Sequence, residues 1–80
     1  MLKLGIIGCG AMGNVIAKAM DGKVAVLFDI IEEKAVKLAE SLRFKPKVAK
    51  TFDEFINSDM NFVVEAASQR AVRDLSLIHI

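Results

Sequence analysis

Residues Gly8, Cys9, Gly10, Ala11, Met12 and Gly13 separate an apolar run at residues 2–7 from a helical pattern that starts near Met12. This turn limits the fold more than any other stretch. In the spacing G-x-G-x-x-G the first glycine permits a tight exit from a strand, the second lets a phosphate approach the backbone without meeting a Cβ, and the third lets the helix pack closely on the strand. The free N–H groups and the dipole of the helix then face negative charge. Because the pattern is weak by itself, it needs a strand before, a helix after, and an acid roughly 20 positions on.

All three conditions are met. Leu2, Leu4, Ile6 and Ile7 form a nearly continuous apolar run, as in a central parallel strand covered on both faces. Met12, Val15, Ile16, Ala19 and Met20 follow at one-face helical spacing, with Asn14, Lys18 and Asp21 on the other face and Gly22 as a left-handed stop. A second strand, Val24, Ala25, Val26, Leu27 and Phe28, ends in Asp29, 21 positions beyond Gly8. A carboxylate there can accept hydrogen bonds from ribose hydroxyls and repels a 2′-phosphate, so with Ile30 next the local chemistry favours NAD over NADP. The same carboxylate can instead cap the segment that follows.

The second helix places Ile31, Ala35, Leu38, Ala39 and Leu42 on one face, with Glu33 and Lys37 as an i, i+4 pair on its solvated side. Pro46 breaks the pattern, and Val48 and Ala49 suit a short third strand near the sheet edge. Thr51, Phe52, Asp53 and Glu54 read as a capping box that opens a short helix with Phe52, Phe55 and Ile56 inward. Phe62, Val63 and Val64 form a fourth strand running into Glu65, Ala66, Ala67 and Ser68, and Ser68 suits the cap of a last helix carrying Val72 and Leu75. The fold class is therefore α/β, a Rossmann-type parallel sheet built as a half unit βαβαβαβα with strand order 3-2-1-4. The crevice where that order reverses lies between residues 8–13 and residues 66–68.

Composition narrows the partners. Eleven basic and ten acidic residues, interspersed, leave a net charge of +1, which gives no footprint for nucleic acid or an anionic membrane. No apolar run approaches the ~20 residues of a membrane span and no signal-peptide layout opens the chain, so the expected location is the cytoplasm. One cysteine excludes an internal disulfide and, without clustered ligands, a structural zinc site. A chain of 80 residues, 54% hydrophobic, buries only about 60% of its extended surface, and its apolar excess suggests part of a larger protein.

The turn at residues 4–13, the strand ending in Asp29, and above all the run Val63, Val64, Glu65, Ala66, Ala67, Ser68, Gln69, Arg70, Ala71, Val72, Arg73 and Asp74 resemble the N-terminal half of an L-aspartate dehydrogenase. The glycine turn is shared by many dinucleotide enzymes, whereas the second run is much narrower. The resemblance covers residues 1–74 and implies a Rossmann half-domain that precedes an α/β catalytic and oligomerisation domain absent from this sequence. It implies NAD(P)-dependent oxidation of aspartate to iminoaspartate, which hydrolyses to oxaloacetate and ammonia, in a homo-oligomeric full-length enzyme. By the same resemblance Gly10, Ala11, Met12 and Gly13 hold the pyrophosphate, Asp29 holds the adenosine ribose, and Ala66, Ala67 and Ser68 lie along the nicotinamide half.

The family's catalytic histidine belongs to the second domain and has no counterpart here. His79 lies beyond the matched region and reads as incidental, so no catalytic residue and no metal ligand is assigned and the 80 residues are expected to be inactive alone. Residues 75–80 depart from the family and read as a truncated or artefactual tail, residues 76–80 being similar to the translation of a common sequencing-library adapter. Cys9 reads as a small buried filler, and Glu65 as a structural hydrogen-bonding group or an orienter of substrate. Alternatives for the whole are the cofactor domain of a homoserine dehydrogenase or a glucose-fructose oxidoreductase type, or a nucleotide-sensing module without catalysis.

Overall fold

A computed structural model describes residues 2–66. Seven elements follow one another: β1 (Leu4–Ile7), α1 (Ala11–Ala19), β2 (Val24–Phe28), α2 (Glu32–Ser41), β3 (Lys47–Val48), α3 (Phe52–Ile56) and β4 (Phe62–Glu65). All strand pairs are parallel and the sheet order is β3-β2-β1-β4, as the crossover rules predict. The expected last helix, with Ala67, Ser68, Val72 and Leu75, lies outside the described residues.

β1 is buried along its whole length because it has neighbours on both sides and helices over both faces. Successive side chains of a strand point to opposite faces, so β1 feeds two cores. Leu4 and Ile6 join Leu27, Ala17, Leu38 and Leu42 under α1 and α2, whereas Ile7 joins Val26, Ala49 and Phe55 under α3. Gly5 points to the α3 side, where a Cβ would collide with the sulfur of Met60 and come within 2.9 Å of Phe55 Cζ. The missing side chain is thus what admits the ring of Phe55, which has no exposed surface.

Helix α1 corrects the expected inner face. Met12 and Val15 are 61% and 64% exposed, Ala19 is exposed as well, and the face against the sheet is Gly13, Ile16, Ala17 and Met20. The smallest residues set the rotation: Gly13 and Ala17, four apart on one face, let the helix axis come closest to β1. Gly22 has the left-handed backbone expected of it, φ 96°, although α1 already ends at Ala19. Ala35, Leu38 and Ala39 of α2 and its C-cap Leu42 are buried, while Ile31, at the N-cap, stays exposed.

The capping box at Thr51 is half as expected. Thr51 Oγ1 accepts the Glu54 N–H at 3.1 Å, but the Glu54 carboxylate reaches back to the N–H of Lys50, 2.9 Å, rather than to that of Thr51. Only Phe55 of the expected inward set is buried, since a helix of five residues offers one fully covered position; Phe52 and Ile56 remain partly exposed. Phe52 instead packs edge-on against Phe28, with ring centroids 6.1 Å apart. Phe62, at the start of β4, is also exposed.

Candidate functional site

Register builds the site. Ile7 lies beside Phe28 on one flank and Glu65 on the other, so the next residues, Gly8, Asp29 and Ala66, emerge in one row at the carboxyl end of the sheet. Two backbone bonds fix that row: Gly8 N–H donates to Phe28 O and Ala66 N–H donates to Ile7 O, both at 2.8 Å. Glu65 is buried at the last position of β4.

Gly8 turns the chain out of β1 with φ 96°, a conformation that costs an L side chain about 1–2 kcal/mol. Gly10 is the N-cap of α1, and a Cβ built on it would meet nothing within 4 Å. Gly13 is the opposite case, since its Cβ would run into the Gly8 carbonyl and lie 3.8 Å from Ala66 Cβ. Close packing of α1 on the turn and an open surface before the helix are therefore properties of two different glycines. Ala11 and Met12 sit exposed in the first helical turn beside that surface.

The three helix starts differ in charge. α2 opens with Glu32 and Glu33, and α3 has the Thr51 cap followed by Asp53 and Glu54. α1 has neither an acid in its first turn nor a side-chain cap. Its first-turn N–H groups have no intrahelical acceptor, and no acid of its own first turn faces the positive end of its dipole.

Asp29 holds two backbone donors at once. Its Oδ2 accepts the Cys9 N–H at 2.7 Å and its Oδ1 accepts the Ile31 N–H at 2.8 Å. Asp29 therefore does not cap α2, whose N-cap is Ile31 with no side-chain acceptor; it ties the loop before that helix to the glycine turn. A carboxylate has about four lone-pair sites, so two such bonds leave capacity for further donors.

The Cys9 thiol is buried and lies 3.7 Å from the Phe28 carbonyl. Burial, and then the negative charge of Asp29, push its pKa up to about 12. It is a filler and no nucleophile. In the folded chain at mildly alkaline pH a thiolate-directed reagent should label Cys9 far more slowly than in denaturant, and equal rates would contradict the buried placement.

Sequence reasoning missed Asn14. Instead of facing away from the turn, its side-chain amide donates to the carbonyls of Cys9, 3.1 Å, and Gly10, 3.0 Å. A polar residue four positions after the second glycine is the only sequence signal for it. Of the expected nicotinamide-side residues, Ala66 is brought against the turn, while Ala67 and Ser68 lie outside the described residues. Among the described residues no cluster of potential metal ligands occurs, and no helix is long and apolar enough to cross a membrane.

A parallel sheet in the order 3-2-1-4, with a glycine turn and an acid at the ends of adjacent strands, defines a Rossmann-type dinucleotide-binding fold. Solved structures agree. A myo-inositol dehydrogenase from Corynebacterium glutamicum superposes with a TM-score of 0.72 at 25% identity, over 94% of this chain and 23% of its own. GenD2 from gentamicin A biosynthesis, solved in complex with NAD, does so with a TM-score of 0.67 at 32% identity, over 82% of this chain and 20% of its own. No family model matches the chain.

In sequence the chain is a homologue of L-aspartate dehydrogenases. It is 40% identical to that of Methanocaldococcus jannaschii over 82 residues, covering 95% of this chain and 30% of the relative. The enzyme of Methanosarcina mazei is 44% identical over 78 residues, covering 91% and 28%, and that of Methanocella arvoryzae 39% over 82 residues, covering 96% and 30%. The chain thus spans about 30% of the length of the curated relatives it matches.

Proposed function

We propose that residues 1–74 are the NAD(P)-binding half-domain of a cytoplasmic, homo-oligomeric dehydrogenase acting on L-aspartate, with oxaloacetate and ammonia as the products after hydrolysis of the imine. The observation that carries this reading is the Asp29 carboxylate held against the Cys9 N–H, which joins the ribose-binding acid to the glycine turn in one rigid unit. The L-aspartate dehydrogenase relatives support the substrate, and the NAD complex of GenD2 supports the cofactor.

The residues fit an adenine dinucleotide. The open space before Gly10 and the uncapped start of α1 suit a diphosphate, which would accept N–H groups of Gly10, Ala11, Met12 and Gly13. The remaining acceptor capacity of Asp29 suits ribose hydroxyls, and its charge opposes a 2′-phosphate. Gly8 shapes the turn. The small residues Ala66, Ala67 and Ser68 would leave room for the nicotinamide ring, whose role when bound is to accept hydride from the substrate carbon.

Fluorescence titration of the chain with NADH and NADPH tests this. NADH should bind, with a preference over NADPH on the order of tenfold or more, since juxtaposed like charges cost several kcal/mol. The 80 residues mixed with NAD and L-aspartate should yield no NADH, because no substrate-binding groups beyond the crevice are assigned to them. A chain that ignores both nucleotides would sink the reading.

A further inference from the structure

The glycine turn is held from two sides by side chains, and only one of them faces the ribose position. The Asn14 amide has two N–H hydrogens, and each has one carbonyl acceptor, Cys9 O at 3.1 Å and Gly10 O at 3.0 Å. Gly10 O also accepts the Asn14 backbone N–H at 2.9 Å. From the other side Asp29 holds the Cys9 N–H. A trans peptide directs its C=O and N–H in opposite directions. Holding the oxygens of Cys9 and Gly10 toward Asn14 therefore turns the N–H groups of Gly10 and Ala11 away from it, toward the open space before the helix.

We propose that Asn14 is a positioning residue for a nucleotide diphosphate: it aims the turn's N–H groups by holding the Cys9 and Gly10 carbonyls, and touches no ligand itself. The inference rests on residues 8–13 being the phosphate site. Without the clamp the Cys9–Gly10 peptide loses the bond that holds it and can swing its carbonyl oxygen toward the phosphate charge, while the Gly10 carbonyl keeps only the Asn14 backbone N–H and is less firmly fixed. Asn14→Ala removes both bonds. Asn14→Ser keeps one donor, because a helical serine hydroxyl bonds the carbonyl four residues back, here Gly10 O. Asn14→Asp puts a carboxylate against two carbonyl oxygens and should be the worst of the three.

The test is calorimetric titration of the wild-type chain and the three variants with NAD, ADP and adenosine, with circular dichroism to establish folding. Asn14→Ala should bind ADP about tenfold more weakly, the equivalent of one to two net hydrogen bonds, while its affinity for adenosine is unchanged. Asn14→Ser should fall between wild type and alanine, and it decides the question if the alanine variant does not fold. Wild-type affinity for ADP in Asn14→Ala, or equal losses for ADP and adenosine, would overturn the inference and leave the dinucleotide site standing. A wild-type chain that takes no NAD would instead overturn the site and the role of Asn14 together.

Discussion

Gly13→Ala should destabilise the folded chain by about 3 kcal/mol, at the upper end of what overpacking costs. The alanine is the better helix former by about 1 kcal/mol, so propensity alone predicts the opposite sign. Steric contact decides, because the new Cβ would meet the Gly8 carbonyl, a backbone group whose own peptide is fixed by the Cys9 N–H bond to Asp29. A flexible side chain would move aside, but this carbonyl cannot without opening the junction of β1 and α1. Gly10→Ala is the matched control: its Cβ meets no protein atom, so stability should hold while dinucleotide affinity falls. Urea denaturation of both variants, read beside their NADH affinities, checks the pair. A Gly13→Ala chain as stable as wild type would show that α1 does not pack as described.

Asp29→Asn should weaken NADH binding by on the order of tenfold to a hundredfold, the range of one charge-assisted hydrogen bond or more. The amide has a single acceptor oxygen, whereas the carboxylate now serves the Cys9 and Ile31 N–H groups with separate oxygens. One of those donors must face an NH2 group, so the turn loosens as well. NADPH should lose less, because the repulsion of its 2′-phosphate disappears with the charge, and the preference between the two nucleotides should narrow. Unchanged NADH affinity in this variant would remove Asp29 from the ribose site.

Much of this was legible in the chain because its signals are local. The apolar run of β2 and the acid that ends it are set by neighbours in sequence, and the strand Val24–Phe28 has the bounds its residues suggest. The order β3-β2-β1-β4 follows from the doubly wound Rossmann pattern that the glycine turn and the acid point to, joined by right-handed crossovers. Helical faces were less legible. A series such as Met12, Val15, Ile16, Ala19 and Met20 defines an apolar stripe but leaves its rotation free by about one residue, and Met12 and Val15 proved to be on the open side. Phe52 and Ile56 failed for a related reason: α3 is too short for its apolar residues to share one covered face.

The sequence by itself determined that a G-x-G-x-x-G turn would join a buried strand to a helix, and that an acid would stand at the tip of the second strand. Glycine spacing and apolar periodicity act over a few residues, and no tertiary contact is needed to read them. Only the tertiary structure decided that Asp29 holds the Cys9 N–H, that Asn14 closes on the carbonyls of Cys9 and Gly10, and that Gly13 abuts the Gly8 carbonyl. Those contacts depend on the register of β1 with β2 and on the depth to which α1 settles on the sheet, and both are set by packing between segments that residue spacing leaves open.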